Sequence, residues 1–216
     1  KIKKISYEEM LEMASLGAKV MQPASIQEAR LNRIEIDVRS TFSKKIGTTI
    51  TRKKNIISKN TIRGISFTKN DSKITLIGVK DKPGVAASIF KPLYENSINV
   101  DMVVQNISAD SRETDLTFTI KLEDLIKTRR ILENNRSIKF KKLVVNKNVS
   151  KVSIIGVGMI TTPGITYRMF KALAKEKINI EVISTSEIKI SVLINKKNLK
   201  KSVEILHQEF KLNNNL

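Results

Sequence analysis

One stretch of this chain is written twice, and the repetition restricts its fold more than any other feature. Ile74-Thr-Leu-Ile-Gly-Val79 is matched by Val152-Ser-Ile-Ile-Gly-Val157, and Pro83-Gly84 by Pro163-Gly164. Phe90, Leu93 and Ile98-Asn99-Val100 then match Phe170, Leu173 and Ile178-Asn179-Ile180 at a constant offset of eighty residues. So many spaced matches call for two copies of one structural unit rather than a single irregular domain.

Each copy begins with a near-continuous apolar strand, turns at Pro-Gly and enters a helix with its inward face at three- and four-residue spacing. These positions are Ala86, Ile89, Phe90 and Leu93 in the first copy, and Thr166, Met169, Phe170 and Leu173 in the second. In the first copy the pattern predicts strands over 100–107 and 114–120, a helix over 123–134 and a last strand over 139–145. That order, β-α-β-β-α-β, is the ferredoxin-like arrangement, with both helices on one face of an antiparallel sheet. In the second copy strands are predicted over 180–184 and 188–194 and a helix over 199–210, followed only by a polar tail. Its fourth strand is missing. An isolated strand over 61–67, upstream of the first copy, has the right length to fill the vacancy. The first copy is then inserted in sequence between the last and first strands of the second. The alternative leaves the second copy with three strands and places 61–67 on a sheet of the preceding segment.

That preceding segment opens with a capping-box pattern, Ser6 with Glu9, followed by Met10, Leu11, Ala14 and Ala18 at helical spacing. Ser25 with Glu28 repeats the start signal for a short helix through Ala29 and Leu31. Ile34, Ile36 and Val38 then alternate with Glu35 and Asp37 as a strand over 34–39. Two short helices and one strand leave an open strand edge and bury too little to stand alone, so the chain is expected to be cut from something larger. The expected organisation is an α/β remnant over 1–52, a basic linker over 53–60, one domain over 72–147, and a second assembled from 61–68 plus 149–212. The fold class is α/β, of the α+β kind.

Composition excludes much chemistry. There is no Cys and a single His, His207, which removes disulfide frameworks, thiolate catalysis, multi-histidine metal centres and a Ser-His-Asp triad. No apolar run is long enough to span a membrane and no leader pattern is present, so a cytoplasmic chain without membrane partners is expected. Forty Lys plus Arg against twenty-one Asp plus Glu give a net charge of +19. The basic residues are scattered in short clusters over several segments, which reads as a solvated surface. The rival reading is a nucleic-acid module, since ferredoxin-like sheets also bind RNA. Such sheets stack bases on exposed aromatics, and with no Trp in the chain only Phe118 is a candidate on a central strand.

A glycine at a helix start leaves backbone N–H groups beside the positive end of the helix dipole, a setting for a carboxylate. Asp81, just before Pro83-Gly84, could balance an ammonium group, and Gln105 and Asn106 could read a hydroxyl or amide. A zwitterionic amino acid matches that pair of charges, although Asp81 could equally serve only the turn.

Ile77-Gly-Val-Lys-Asp-Lys-Pro-Gly-Val-Ala-Ala, Asn99-Val-Asp-Met-Val-Val-Gln-Asn, Thr114-Asp-Leu-Thr-Phe-Thr and Ile183-Ser-Thr-Ser-Glu-Ile-Lys-Ile-Ser-Val resemble the paired ACT domains of aspartokinase. Ser6-Tyr-Glu-Glu-Met-Leu-Glu-Met-Ala-Ser-Leu-Gly-Ala-Lys and Val38-Arg-Ser-Thr-Phe resemble the end of its amino-acid-kinase domain. The resemblance implies an enzyme that uses ATP and Mg to phosphorylate the side-chain carboxylate of aspartate, the first step toward lysine, threonine and methionine. It also implies feedback inhibition by amino-acid effectors, pairing through ACT domains as a homodimer, and partnership with the kinase domain of the full-length chain. The family's amino-terminal Lys-Phe-Gly-Gly-type segment is absent here, so no catalytic residue and no cofactor of its own is expected, and the chain alone should be inactive. Lys19 corresponds to a position near the nucleotide edge. By position, Asp81, Gly84, Ala86 and Gln105 would face Asn179 and Ile180 around threonine, while Asp101, Thr166, Ser186 and Glu187 would line a second pocket for lysine. A Thr161-Thr162 stretch replaces Asp81 in the second copy, which makes the two helix starts chemically unequal.

Overall fold

The structure, a computed structural model, describes residues 1–18, 20–53, 56, 61–107, 113–135 and 137–215. The chain divides into two units: residues 1–68 together with 151–216, and residues 69–150.

The amino-terminal segment opens with strand β1 (Lys4–Ser6), helix α1 (Tyr7–Ser15), helix α2 (Pro23–Leu31), strand β2 (Ile36–Val38) and strand β3 (Thr48–Thr51). The strands form a sheet in the order β1-β3-β2, parallel between β1 and β3 and antiparallel between β2 and β3. Ser6 both ends β1 and caps α1: its hydroxyl accepts from the Glu9 amide, and the Glu9 carboxylate reaches back to the Ser6 amide, completing the predicted capping box. α2 starts at Pro23 rather than at the Ser25 signal. Proline needs no N–H at the first helical position, so it sets the start and leaves Ser25 inside the first turn. The strand expected over 34–39 shortens to Ile36–Val38, and β1 and β3 are additional. Elements of three and four residues carry too few alternations to register as strands in sequence. The Tyr7 hydroxyl donates to the Ile34 carbonyl at 2.6 Å, and burial, with the charge of Glu35 secondary, pushes this phenol above 10. Asp37 on β2 accepts from Thr49 Oγ1 at 2.7 Å and pairs with Arg39 at 2.8 Å. Those two hydrogen bonds, Thr49's first, hold its carboxyl below the ordinary carboxylate range.

Next comes a long strand, β4 (Gly64–Lys80), which carries the chain from one unit into the other. In the unit of residues 69–150 it is followed by α3 (Val85–Glu95), β5 (Val100–Ile107), β6 (Glu113–Lys121), α4 (Leu125–Asn134) and the first part of β7 (Lys142–Ile155). The strand order β5-β6-β4-β7 is that of a ferredoxin-like sheet. Ile74, Leu76 and Val79 of β4 and Leu116, Phe118 and Ile120 of β6 point to one side, where they pack with Ile89 and Leu93 of α3 and Leu132 of α4. Phe90 meets Phe118 edge-on at 5.3 Å.

β7 re-enters the first unit and continues into a 3-10 turn (Val157–Thr161), α5 (Ile165–Lys175), β8 (Ile180–Thr185), β9 (Lys189–Asn195) and α6 (Leu199–Glu209). The order β4-β7-β9-β8 repeats the first arrangement, with the start of β4 supplying the fourth strand: the Arg63 amide donates to the Ile155 carbonyl at 2.8 Å. The first copy is therefore inserted within the second. Val152, Ile154, Met169, Leu173, Val192, Ile194 and Leu206 form this core, and a buried Ser153–Ser191 hydroxyl pair at 2.7 Å joins β7 to β9. The sequence reads β4 and β7 each as two strands separated by a connector. Both run unbroken, because the polar residues between the predicted strands keep an extended backbone. The linker expected over 53–60 falls mostly outside the described residues.

Helix α1 packs onto this second ferredoxin-like sheet within the same unit. Ile155 joins Ile5, Tyr7, Met13, Leu16, Ile26 and Ile50 in one buried cluster, and Ser66 Oγ donates to the Met13 carbonyl at 3.2 Å.

Candidate functional site

Helices α3 and α5 start in the same way. Gly84 and Gly164 precede them with φ of +87° each, a left-handed conformation that costs an L side chain free energy. A Cβ at either glycine would meet no atom within 4 Å, so the backbone angle alone demands glycine and the space before both helices is open. The first amides of a helix lack acceptors within it and lie at its positive end, so both starts can receive an anion.

In the unit of residues 69–150, register carries other predicted residues to the α3 start. Val79 pairs with Thr114, and Thr114 with Ile107, so the ends of β4 and β5 and the beginning of β6 lie together. Asp81, Gly84 and Gln105 lie at that end with exposed side chains or backbone, and Asn106 stands beside them opposite Asp115. Ala86 is half-buried in the first turn of α3. The Gly78 amide donates to Asp115 Oδ1 at 3.0 Å, and Lys141 pairs with Glu113 at 2.5 Å, so the rim is charged and hydrogen-bonded. Asp101 sits near the opposite end of β5, away from Gln105. There a groove of about 490 Å³ runs between the end of α3 and the start of β5, lined by Phe90, Tyr94, Asn99, Val100 and Val103 among others.

The connection leading into α5 is built differently. Five residues, not three, separate Val157 from Pro163, and this longer connection forms the 3-10 turn Val157–Thr161. Thr61 lies on that turn so closely that a Cβ at Gly156 would come within 2.1 Å of the Thr61 carbonyl oxygen. The Thr61 and Thr162 hydroxyls are 3.3 Å apart. Thr166, Ser186 and Glu187 are exposed and share this end of the unit, the last two in the turn between β8 and β9. Asn179 and Ile180 lie at the far end of β8 from Ser186. Thus each unit holds part of each expected constellation: Asp81, Gly84, Ala86, Gln105 and Asp101 in one, Asn179, Ile180, Thr166, Ser186 and Glu187 in the other. Lys19 lies outside the described residues.

Phe118, the aromatic that a base-stacking sheet would need, is fully buried against Phe90 and has no face to offer. Among the described residues no group of three or more His, Cys, Asp or Glu side chains is placed to hold a metal ion, and no helix is long and apolar enough to cross a membrane. The capping carboxylate of Glu9 is more consequential than the sequence pattern indicates. It also accepts from the Val157 amide at 3.1 Å, across 148 residues of sequence. Local spacing reveals the cap but nothing of that second contact.

Comparison with known proteins agrees with this architecture. The ACT domain family matches residues 74–135 and 152–210, so the chain is an ACT-domain protein with two copies of the domain. An aspartate kinase of Pseudomonas fluorescens is 44% identical over 214 residues, covering 98% of this chain and 52% of that protein. The regulatory subunit of aspartate kinase from Thermus thermophilus, solved in ligand-free form, is 34% identical with a TM-score of 0.65, over 69% of this chain and 99% of that one. The aspartate kinase of Clostridium acetobutylicum, described as an allosteric enzyme, superposes with a TM-score of 0.88 at 25% identity, over 97% of this chain and 49% of that one. The chain belongs to the aspartokinase family and carries its regulatory, ACT-bearing part. It spans about half the length of the curated relatives it matches.

Proposed function

We propose that this chain senses a free amino acid for an aspartokinase and sets the activity of the enzyme to which it belongs. The α3 start carries the reading: an open, glycine-led helix start with the exposed carboxylate of Asp81 beside it. Helix amides receive the ligand carboxylate, Asp81 faces its ammonium group, and Gln105 selects among side chains. Threonine and lysine are the effectors. Within the unit of residues 69–150, Asp81, Gly84, Ala86 and Gln105 receive threonine; within the other, Thr166, Ser186 and Glu187 receive lysine. The kinase reaction, phosphoryl transfer from ATP with Mg to aspartate in the cytoplasm, belongs to the complete enzyme, and this chain alone is inactive. Chains pair as dimers through their ACT domains, where β5 and β8 end the strand order and leave pairing edges. An effector shifts activity only by its difference in affinity between the active and inhibited arrangements.

Calorimetry with threonine, lysine and methionine, singly and combined, tests the proposal. We expect heat with threonine or lysine, weakened about tenfold or more by Asp81→Asn, as loss of a charged contact predicts. Absence of heat with every amino acid on folded protein overturns it.

A further inference from the structure

Both ACT domains place a carboxylate on the turn that ends their first strand, but the carboxylates come from different places and reach neighbouring, not matching, amides. In the first, the Gly78 amide donates to Asp115, a residue of that domain's own β6. Strand pairing identifies the equivalent of Asp115 in the second domain. Asn106 pairs with Asp115, and Ser186, which matches Asn106 in the repeat, binds the Lys189 carbonyl through its amide at 2.8 Å. The equivalent residue is therefore Lys189, of opposite charge. The second domain has no acid at that strand position, and its Gly156 amide, which matches Gly78 in the repeat, donates instead to the Ile188 carbonyl at 3.0 Å.

Helix α1 supplies a carboxylate to the next amide, that of Val157. Glu9 Oε1 accepts from the Val157 amide at 3.1 Å, and Glu9 Oε2 accepts from the Ser6 hydroxyl at 3.0 Å and the Ser6 amide at 3.2 Å. Arg63 Nε stands 3.9 Å from the same oxygen, and the Arg63 guanidinium also donates to the Lys4 carbonyl of β1. Glu9 is 1% exposed. One helical turn on, Glu12 pairs with Lys189 itself at 3.0 Å. A buried carboxylate retains its charge only where donors surround it, and these donors come from both sides of the contact. With Lys189 in the place of Asp115, this end of the second domain draws its carboxylates from α1: Glu9 on the Val157 amide and Glu12 on Lys189.

We infer that α1 is the output contact of the second ACT domain: Glu9, seated on the Val157 turn, and Glu12, seated on Lys189, transmit the position of that turn to β1 and the sheet of the amino-terminal segment. Glu9 is a positioning residue, and the α5 turn is committed to this joint. The transmission role rests on the effector-sensing reading above; the joint itself does not.

Hydrogen exchange on the 216-residue chain, with and without effector, tests both. Without ligand, Glu9→Gln raises exchange in segments 4–15 and 156–161 together, by about tenfold or more, and leaves 113–135 unchanged. In Glu9→Ala, acetate at constant ionic strength restores protection in both segments by filling the vacated carboxylate site. Loosening of one segment alone, or no rescue, overturns the joint. Should either Glu9 variant fail to fold, Glu12→Gln, which removes the half-buried pair with Lys189, supplies the same comparison with a smaller expected change. With threonine or lysine, wild-type chain shows binding heat and altered exchange in 4–15, whereas Glu9→Gln keeps the heat and loses the altered exchange. Wild-type heat without any change in 4–15 overturns the output role. Absence of heat overturns the sensing reading and the output role with it, while the ligand-free comparison still decides the joint.

Discussion

Single residues here do their work through who accepts from whom. Asp37 is the simplest case, since Thr49 and Arg39 both donate to it and its carboxyl titrates low as a result. A carboxyl with a lowered folded-state pKa contributes stability above its unfolded value that is lost as pH falls through the folded value. The contribution of Asp37 is therefore full at neutral pH and disappears in acid, below the ordinary carboxylate range. Following its carbon resonance against pH should show an inflection below that range. Thr49→Val, which deletes the leading donor, should move the inflection upward; an unchanged inflection contradicts the assignment. Because Asp37 is solvent-exposed, the effect belongs to the local β2–β3 pairing and is small for the molecule.

At the scale of elements, the glycines of the two turns separate conformational cost from steric cost. Gly84→Ala introduces a methyl into open space at φ +87°, so denaturant unfolding should report a loss of about 1–2 kcal/mol from the backbone alone. Gly156→Ala forces its methyl against the backbone of Thr61 and Ile62, and should cost more than Gly84→Ala or displace the start of β4. Equal losses at the two positions would contradict this account. The Pro-Gly pairs made both helix starts legible in sequence, and apolar spacing marked the inward faces of α3 and α5 and placed α4 and α6 within a residue or two of their observed limits. β1 and β3 were not legible, because three or four residues show no period. Nor was the second role of Glu9, whose partner Val157 is a backbone amide with no signature in side-chain identity. For the candidate site, the residues themselves pointed to Asp81 and Gly84 at the helix start and to Gln105 and Asn106 at the end of the following strand. The other effector residues came from family resemblance, which names positions without stating which lie at the same end of a strand.

The whole molecule is governed by β4 and β7, which belong to both units. Losing either unit strips half of each of these strands of its partners, so urea unfolding should follow one cooperative transition by circular dichroism and by tyrosine fluorescence alike. Leu93→Ala and Leu173→Ala remove matched, fully buried leucines from the two cores and should each cost about 2–5 kcal/mol. Both should shift the common midpoint; two resolved transitions, each sensitive to one substitution, would contradict this view. Insertion of one repeat inside the other has a further effect on how the chain finds its native state. The host needs Arg63 beside Ile155, and as a free coil the 82 residues from 69 to 150 would make that closure cost roughly 4 kcal/mol of entropy. Once the guest has paired β4 with β7, those ends are already held on neighbouring strands. The guest is thus a folding clamp for its host, and damage confined to the inserted half should slow maturation of a domain whose own residues are untouched.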